Sequence, residues 1–326
     1  MKTYIKILFC LLFIKSYSQE LTIPNFTQYL GDNPAVVSPT YMGIGDNIKI
    51  RVNGLTQWVG IKDAPDNQSL SADGRLGQRS GVGVFLYNDK NGNTNQKGFK
   101  VSFAHHLILD YYSDKYLSLG ISYVQNNFDI DINNFTEGYQ YNPLITDRRS
   151  LTNSNFDVGF LYRFKNFDFT ANANNILKKD TDGFILKEPN KLRNYNFYTS
   201  MVLKSQNNDR IEYEPSAHFQ YYESDKRSVS DINFKVRSLG FESYYWAGIS
   251  YRFLNDQIGK PLNVGPMAGL KKNNFYFAYS YQITTNDLIG YNSGTHMVTL
   301  GYDIFQNISN CPCTQRYTKQ DPRYNR

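Results

Sequence analysis

Hydrophobic and polar residues alternate in short runs along most of the chain. Near the start of the first run, Ile48, Ile50 and Val52 alternate with Lys49 and Arg51. An alternation with a period of two is typical of a β-strand whose two faces meet different surroundings. The chain then passes through an aromatic stretch and a turn before the alternation resumes.

Trp58 follows the first run, Pro65 marks the turn, and the second run begins near Ser69. A strand that ends in an aromatic residue and returns as a second strand suits a barrel wall, in which one face meets lipid and the other meets water or packed polar groups. We expect Trp58 to lie at the membrane interface. Residues 51–76 should therefore form a transmembrane hairpin.

The repeated pattern predicts an all-β protein, a transmembrane antiparallel outer-membrane β-barrel of about fourteen strands over residues 47–305. Most runs reach the roughly 9–11 residues that a tilted strand needs to cross a bilayer. An even number of strands places both ends of the barrel on one side of the membrane. The expected first residues of the strands are Asn47, Asn67, Arg79, Gly98, Lys115, Asn155, Phe167, Asn194, Arg210, Arg227, Glu242, Ile258, Asn274 and Thr295.

Charged residues within the runs indicate which face points inward. Phe156 and Phe160 lie on one face of a strand, and Asp157 and Arg163 lie on the other. A charged side chain near the middle of the lipid face would cost about 2–4 kcal/mol. We therefore expect Asp157 and Arg163 to face the lumen and the aromatic residues to face lipid.

Two connections, 128–153 and 178–193, are longer than the others. Long loops of outer-membrane barrels are extracellular and short turns are periplasmic. The two loops are therefore candidates for an interaction at the cell surface, although solvated loops without a partner would look the same. Polar runs such as Asn91-Gly92-Asn93 and Asn207-Asn208-Asp209 predict short turns.

The amino-terminal part of the chain divides into two segments. Residues 1–18 have the pattern of a secretory signal peptide, with Lys2 and Lys6 before an apolar core. Cleavage near Ser18 would lower the formal net charge from +6 to about +3, because three lysines and no acidic residue are removed. Residues 19–46 are irregular and contain three prolines, which cannot donate to a sheet ladder. This segment should lie in the periplasm or fold into the barrel mouth as a plug.

Residues 306–326 form a short C-terminal tail, which an even strand count places in the periplasm. Its basic residues would suit docking to a partner, and a disordered tail is the other possibility. The tail also contains Cys311 and Cys313. An oxidising compartment would permit a disulfide between them, but the spacing is tight, so pairing with another chain and a free dithiol both remain open.

Composition separates this chain from helical membrane proteins. Aromatic residues make up 16% of the chain, yet its mean hydropathy is −0.53, as expected where lumen-facing polar residues dilute the apolar ones. A secreted soluble β-protein is the alternative, but it would lack aromatic girdles. Trp58, Trp246 and pairs such as Tyr111-Tyr112 favour such girdles at a membrane interface. The nearly neutral mature chain gives no reason to expect nucleic acid as a partner.

We predict no catalytic, cofactor-binding or metal-binding residue, and therefore no enzyme. His105 and His106 are neighbours on a strand and point to opposite faces, which argues against a shared metal. The sequence has no Gly-x-Ser-x-Gly nucleophile motif. Asp129 and Asp131 share a face, but a calcium loop would need more oxygen ligands in a defined pattern.

Several stretches carry a resemblance to a known family. The strongest is 57–107, which includes QSLSADGRLG, and weaker ones are 169–177, 214–217 and 294–297. Together they resemble the PorP/SprF family of outer-membrane proteins, which belongs to the type IX secretion system and its gliding machinery. The family supplies no catalytic residue to carry over.

The resemblance implies an outer-membrane barrel that assists export or surface attachment of a specific secreted protein, such as a gliding adhesin. The implied partners are outer-membrane lipid, type IX translocon components, periplasmic peptidoglycan-associated proteins and a large secreted surface protein. The competing hypothesis is a passive porin or small-solute transporter. A porin requires a water-filled lumen, whereas an interaction scaffold is expected to have a plugged one.

Overall fold

The computed structural model describes residues 33–131, 148–178, 193–224, 226–241, 243–259, 261–285 and 290–315. The predicted signal peptide and the basic end of the tail lie outside these ranges. No helix within them is long and apolar enough to cross a membrane. The strands, in chain order, are β1 (Asn47–Thr56), β2 (Asp66–Leu76), β3 (Ser80–Asn91), β4 (Thr94–Asp110), β5 (Lys115–Asp131), β6 (Arg148–Phe164), β7 (Phe167–Asn174), β8 (Asn194–Met201), β9 (Leu203–Lys204), β10 (Ile211–Tyr222), β11 (Ser228–Gly240), β12 (Ser243–Leu254), β13 (Asn263–Lys272), β14 (Phe275–Thr284) and β15 (Thr295–Phe305).

The strands form one closed antiparallel ring. Neighbours along the chain pair with each other, and β1 closes the ring on β15 in a register that joins Asn47 to Phe305. The two-residue β9 continues β8 after Val202, because both pair with β10. Counting β8 and β9 as one, the barrel has fourteen strands. The predicted antiparallel barrel is confirmed.

Two strand starts were predicted wrongly by more than a few residues. β6 begins at Arg148 rather than Asn155, and β13 begins at Asn263 rather than Ile258. The first residues of β6 are mostly polar on both faces, so no alternation marks them. Pro261 precedes β13 and has no N–H to donate to a ladder, so the strand begins only after it.

The connections differ between the two ends of the barrel. At the turn end, strands are joined by short turns such as the two residues 165–166, and β1 begins and β15 ends here. At the loop end lie the long connections after β5 and β7, most of which fall outside the described residues. Short turns of outer-membrane barrels are periplasmic, which places the turn end in the periplasm. The short turn at Gly92 is an exception, because it lies at the loop end.

Inward and outward positions alternate as expected. Asp157 and Arg163 face the lumen and are 2% and 3% exposed, while Phe160 of the same strand points outward and is 40% exposed. Trp246 is only 3% exposed and lies inside the lumen, where the Lys235 Nζ atom is 5.1 Å from its ring centre. Its expected position at the membrane interface is therefore wrong, because the alternation of β12 puts it on the inner face.

Ile232 and Ser238 provide a test of the outer face. Both point outward from β11, Ile232 nearer the middle of the strand and Ser238 near the turn end. We expect Ile232→Arg to lower the free energy of unfolding by about 2–4 kcal/mol and Ser238→Arg by only about 0–1 kcal/mol, because the cost of a charge falls toward the interface. Urea titration of both variants in lipid vesicles measures the difference. Equal effects would contradict this assignment of the outer face.

Candidate functional site

Of the predicted segment 19–46, residues 19–32 lie outside the described ranges, and residues 33–46, here called the plug, lie inside the barrel lumen. The Ser38 hydroxyl donates to Asn172 Oδ1 on β7 at 2.6 Å, and the Tyr41 hydroxyl lies 2.6 Å from Thr170 Oγ1 on the same strand. Burial raises the pKa of the Tyr41 phenol well above its ordinary value, so the phenol stays protonated. The plug is therefore bound to the β7 side of the wall by buried hydrogen bonds.

The plug also reaches the opposite side of the ring. Val36 belongs to a buried cluster with aromatic residues of β3, β12 and β14, including Phe85, Tyr244, Trp246 and Tyr276. These side chains face the lumen from strands that are not neighbours of β7 in the ring. The plug thus crosses the lumen and contacts both sides of it.

Local sequence explains the compact shape of the plug. Pro34 and Pro39 each begin a 3-10 turn, where a missing N–H costs no hydrogen bond. The Ser38 hydroxyl caps the second turn by accepting from the backbone N–H of Thr40 at 3.2 Å. The prolines that ruled out a strand in the sequence therefore shape a folded plug.

Two inward glycines make room for the plug backbone. A Cβ at Gly120 would lie 2.7 Å from the Thr40 nitrogen, and a Cβ at Gly81 would overlap the Met42 carbonyl group. The Met42 carbonyl oxygen is 2.9 Å from His106 Nε2. Neither glycine was predicted to contact the plug, although a glycine at an inward position of an alternating strand is a signal for close backbone approach.

Residues 306–315, here called the C-terminal cap, pack into the turn end of the lumen. The Gly45 N–H donates to the Thr314 carbonyl at 2.8 Å, which joins the cap to the plug. Arg163 on β6 donates to the carbonyl oxygens of Cys313 and Gln315, the second at 2.9 Å. The part of the tail that the structure describes is thus ordered against the barrel, which the sequence had left open.

Cys311 and Cys313 form a disulfide within the cap, with their Cα atoms 5.1 Å apart. Both residues are buried, and they pack against Tyr116 and Ile108 of the barrel wall. Of the alternatives that the spacing left open, the structure has the intrachain bond. Since both cysteines are enclosed, they serve the packing of the cap.

The Arg163 side chain should hold the cap in place. Hydrogen bonds from a charged group contribute about 1.5–3 kcal/mol each, so we expect Arg163→Met to speed amide hydrogen exchange in residues 309–315 at least tenfold. Lys165→Met is the matched control, because Lys165 is exposed two residues further on. Mass-spectrometric hydrogen exchange on both variants makes the comparison. Unchanged exchange in Arg163→Met would show that the cap is held by its other contacts.

Four charged side chains form a buried cluster on the inner face of β10 and β11. Arg237 donates from Nη1 to Glu212 Oε2 at 3.2 Å and from Nη2 to Glu214 Oε2 at 2.7 Å. Lys235 Nζ lies 3.4 Å from Glu214 Oε1. Two acids and two bases balance each other, as charges buried from water require.

A cavity of about 450 Å³ lies between the plug and this side of the wall, at the turn end. Tyr41 and Tyr198 line it together with charged groups of both signs, among them Glu212, Lys165 and Lys204. Its volume is within the range of small-molecule sites. The cavity therefore has polar and charged groups for binding.

The histidines lie as the alternation predicts. His106 is buried, with Nδ1 2.7 Å from Ser118 Oγ, whereas His105 points outward, with Nδ1 2.9 Å from Ser80 Oγ. Among the residues that the structure describes, no group of three or more His, Cys, Asp or Glu side chains is placed to hold a metal ion. The two long loops that were candidates for a surface interaction are mostly outside the described ranges.

The comparison with protein families decides the family. The family model described as "Type IX secretion system membrane protein PorP/SprF" matches residues 18–302. The chain belongs to the PorP/SprF family. It is therefore an outer-membrane β-barrel of the type IX secretion system, as the sequence resemblance predicted. Membership in this system also implies interaction with secretion-system components.

This PorP/SprF protein shares its fold with a solved structure. It is similar to the CymD monoaromatic hydrocarbon channel, with 10% sequence identity and a TM-score of 0.53 over 90% of this chain and 96% of that one. A Pseudomonas aeruginosa FadL homologue also matches, with 10% identity and a TM-score of 0.45 over 80% of this chain and 89% of the other. Comparison with curated protein sequences finds no match.

Proposed function

We propose that this PorP/SprF barrel is a non-catalytic scaffold that assists the export or surface attachment of one secreted protein, such as a gliding adhesin. The observation that carries the proposal is the plug, which crosses the lumen and contacts both sides of the ring. A water-filled porin has no need of a folded segment bound across its lumen by buried hydrogen bonds. A scaffold gains rigidity from it.

The two ends of the barrel suit two kinds of partner. At the turn end, the C-terminal cap and the charged cavity face the periplasm, where translocon components and peptidoglycan-associated proteins would dock. At the loop end, the barrel faces the cell exterior, where a large exported protein would be held. The proposed scaffold thus links periplasmic machinery to a surface protein.

Mass spectrometry of proteins that co-purify with a tagged copy, solubilised from outer membranes in mild detergent, tests this proposal. We expect type IX translocon components and one large exported surface protein to be recovered. The same preparation is then placed in a planar bilayer, where little ion conductance is expected. A barrel that recovers no partner and conducts ions steadily would replace the scaffold proposal with a porin or small-solute transporter.

A further inference from the structure

Strands β4, β5 and β6 are the longest of the ring, with 17 residues each, whereas β7 has eight. The register between β5 and β6 extends up to the Asp131–Arg148 pair. The register between β6 and β7 ends already at the Val158–Ala173 pair. Within the described ranges, the loop-end part of β6 therefore continues beyond β7, its neighbour on the other side.

This part of β6 rises above the lipid-facing band. The outward residues Tyr123 and Phe156 form an aromatic contact at 5.5 Å between ring centres, which suits the membrane interface. Beyond them the outward residues are polar. Thr152 Oγ1 donates to Asn127 Oδ1 at 3.0 Å, and Ser150 Oγ donates to the same atom at 3.2 Å. Ser150 and Thr152 are exposed, and these polar side chains place this part of the strand beyond the lipid on the extracellular side.

Among the described residues, the backbone of this extension of β6 has an unpaired edge. The last backbone hydrogen bond on its β7 side runs from the Ile176 N–H to the Phe156 carbonyl at 2.9 Å. Backbone direction alternates along a strand, so the N–H and C=O groups of Ser150, Thr152 and Ser154 point to this same side. In the described part of the chain, no backbone group pairs with them there.

Natural sheets usually protect an edge of this kind with proline, charge or a bulge. Residues 150–154, SLTNS, contain no proline and no charged residue. Asn153, which is 6% exposed, lies on the lumen-facing side of this strand, and neither its Nδ2 nor its Oδ1 atom has a hydrogen-bond partner among the residues that the structure describes. An unprotected edge with an unpaired amide beside it is a template for an added strand.

We infer that residues 150–154 of β6 bind an extended strand of the exported polypeptide by β-augmentation. The inference rests on the proposed function for the identity of the partner. Three edge residues would supply about six backbone hydrogen bonds. Asn153 selects a hydrogen-bonding side chain at the neighbouring inward position of the partner strand.

Proline substitution at the edge is the sharpest test. The Thr152 N–H points away from β5, so Thr152→Pro removes an edge donor and leaves the β5–β6 ladder intact. Thr152→Val is the matched control, because it loses the same hydroxyl and keeps the N–H. Heat-modifiable gel mobility checks that each barrel is folded. Should Thr152→Pro fail to fold, Ser150→Pro, which removes a donor on the same side, takes its place.

The readout is photo-crosslinking in intact cells, with p-benzoylphenylalanine placed at position 150 or 154. Cross-strand neighbours on one face lie within reach of the probe. We expect both probes to label one segment of one exported surface protein, at sites about four residues apart and in antiparallel order. Thr152→Pro should lower the yield about tenfold, as the loss of about 1.4 kcal/mol predicts, while Thr152→Val should keep it within about twofold of the parent.

Three results would overturn the inference: no crosslink or scattered sites, crosslinks to a second copy of this chain, or equal yields in the proline and valine variants. Co-purification from the Thr152→Pro cells separates this failure from a failure of the proposed function. If translocon components and the exported protein still co-purify, the scaffold proposal stands and only the edge is wrong. If they fail to co-purify even with the parent barrel, the proposed function itself is wrong.

Discussion

Arg237→Met should lower the free energy of unfolding by about 3–5 kcal/mol, because it leaves buried carboxylates without their partner. Arg237 donates to both Glu212 and Glu214, and the side chains of all three are at most 5% exposed. Lys235 would still neutralise Glu214. Glu212 would be left as an unpaired charge, which is expensive away from water.

A double variant distinguishes this mechanism from a simple loss of packing. Glu212→Gln has nearly the same shape as glutamate but no charge. Combined with Arg237→Met it should recover about half of the lost stability, because the unpaired charge is gone. Urea titration in lipid vesicles measures both variants. If Arg237→Met costs less than about 1 kcal/mol, or if Glu212→Gln gives no recovery, the cluster does not act as a coupled charge network.

Gly81→Ala should displace the plug and raise ion conductance. The added methyl group would overlap the Met42 carbonyl and lie 2.6 Å from the Gly43 nitrogen, so the plug backbone has to move. Overpacking of this kind costs about 1–3 kcal/mol. A free-energy change of that size shifts the balance between the bound and the displaced plug about 5- to 150-fold.

Two other glycines give a graded control in planar-bilayer recordings. A Cβ at Gly83 would meet the Met42 sulfur, the flexible end of a side chain, so Gly83→Ala should have a smaller effect than Gly81→Ala. A Cβ at Gly54 would meet nothing within 4 Å, so Gly54→Ala should leave conductance unchanged. If none of the three variants conducts ions, the plug is not what blocks the lumen.

The closed wall of the barrel could be predicted largely from local sequence. Alternation with a period of two is a property of neighbouring residues, so it identifies strands without knowledge of their partners. A charge on the lipid face is costly, so Asp157 and Arg163 reveal the inner face. The alternation does not mark the polar start of β6, so the first residue of that strand was predicted wrongly.

The family could also be predicted from the sequence, because the motifs in residues 57–107 and the three weaker stretches are local and are specific when taken together. The inner position of Trp246 was not, since an aromatic residue suits either a membrane interface or a packed lumen. Only its strand parity and the charged groups around it decide between the two.

By itself, the sequence determined an antiparallel outer-membrane barrel of about fourteen strands, its inner face and its family, because each follows from local periodicity, the cost of buried charge or a contiguous motif. Only the tertiary structure decided what fills the lumen and which strand extends beyond its neighbour. The contacts of the plug and the cap join residues far apart in the chain, such as Ser38 with Asn172 and Gly45 with Thr314. In the described part of the chain, β6 has an unpaired edge because its neighbour β7 is shorter, and relative strand length appears only when the ring is closed.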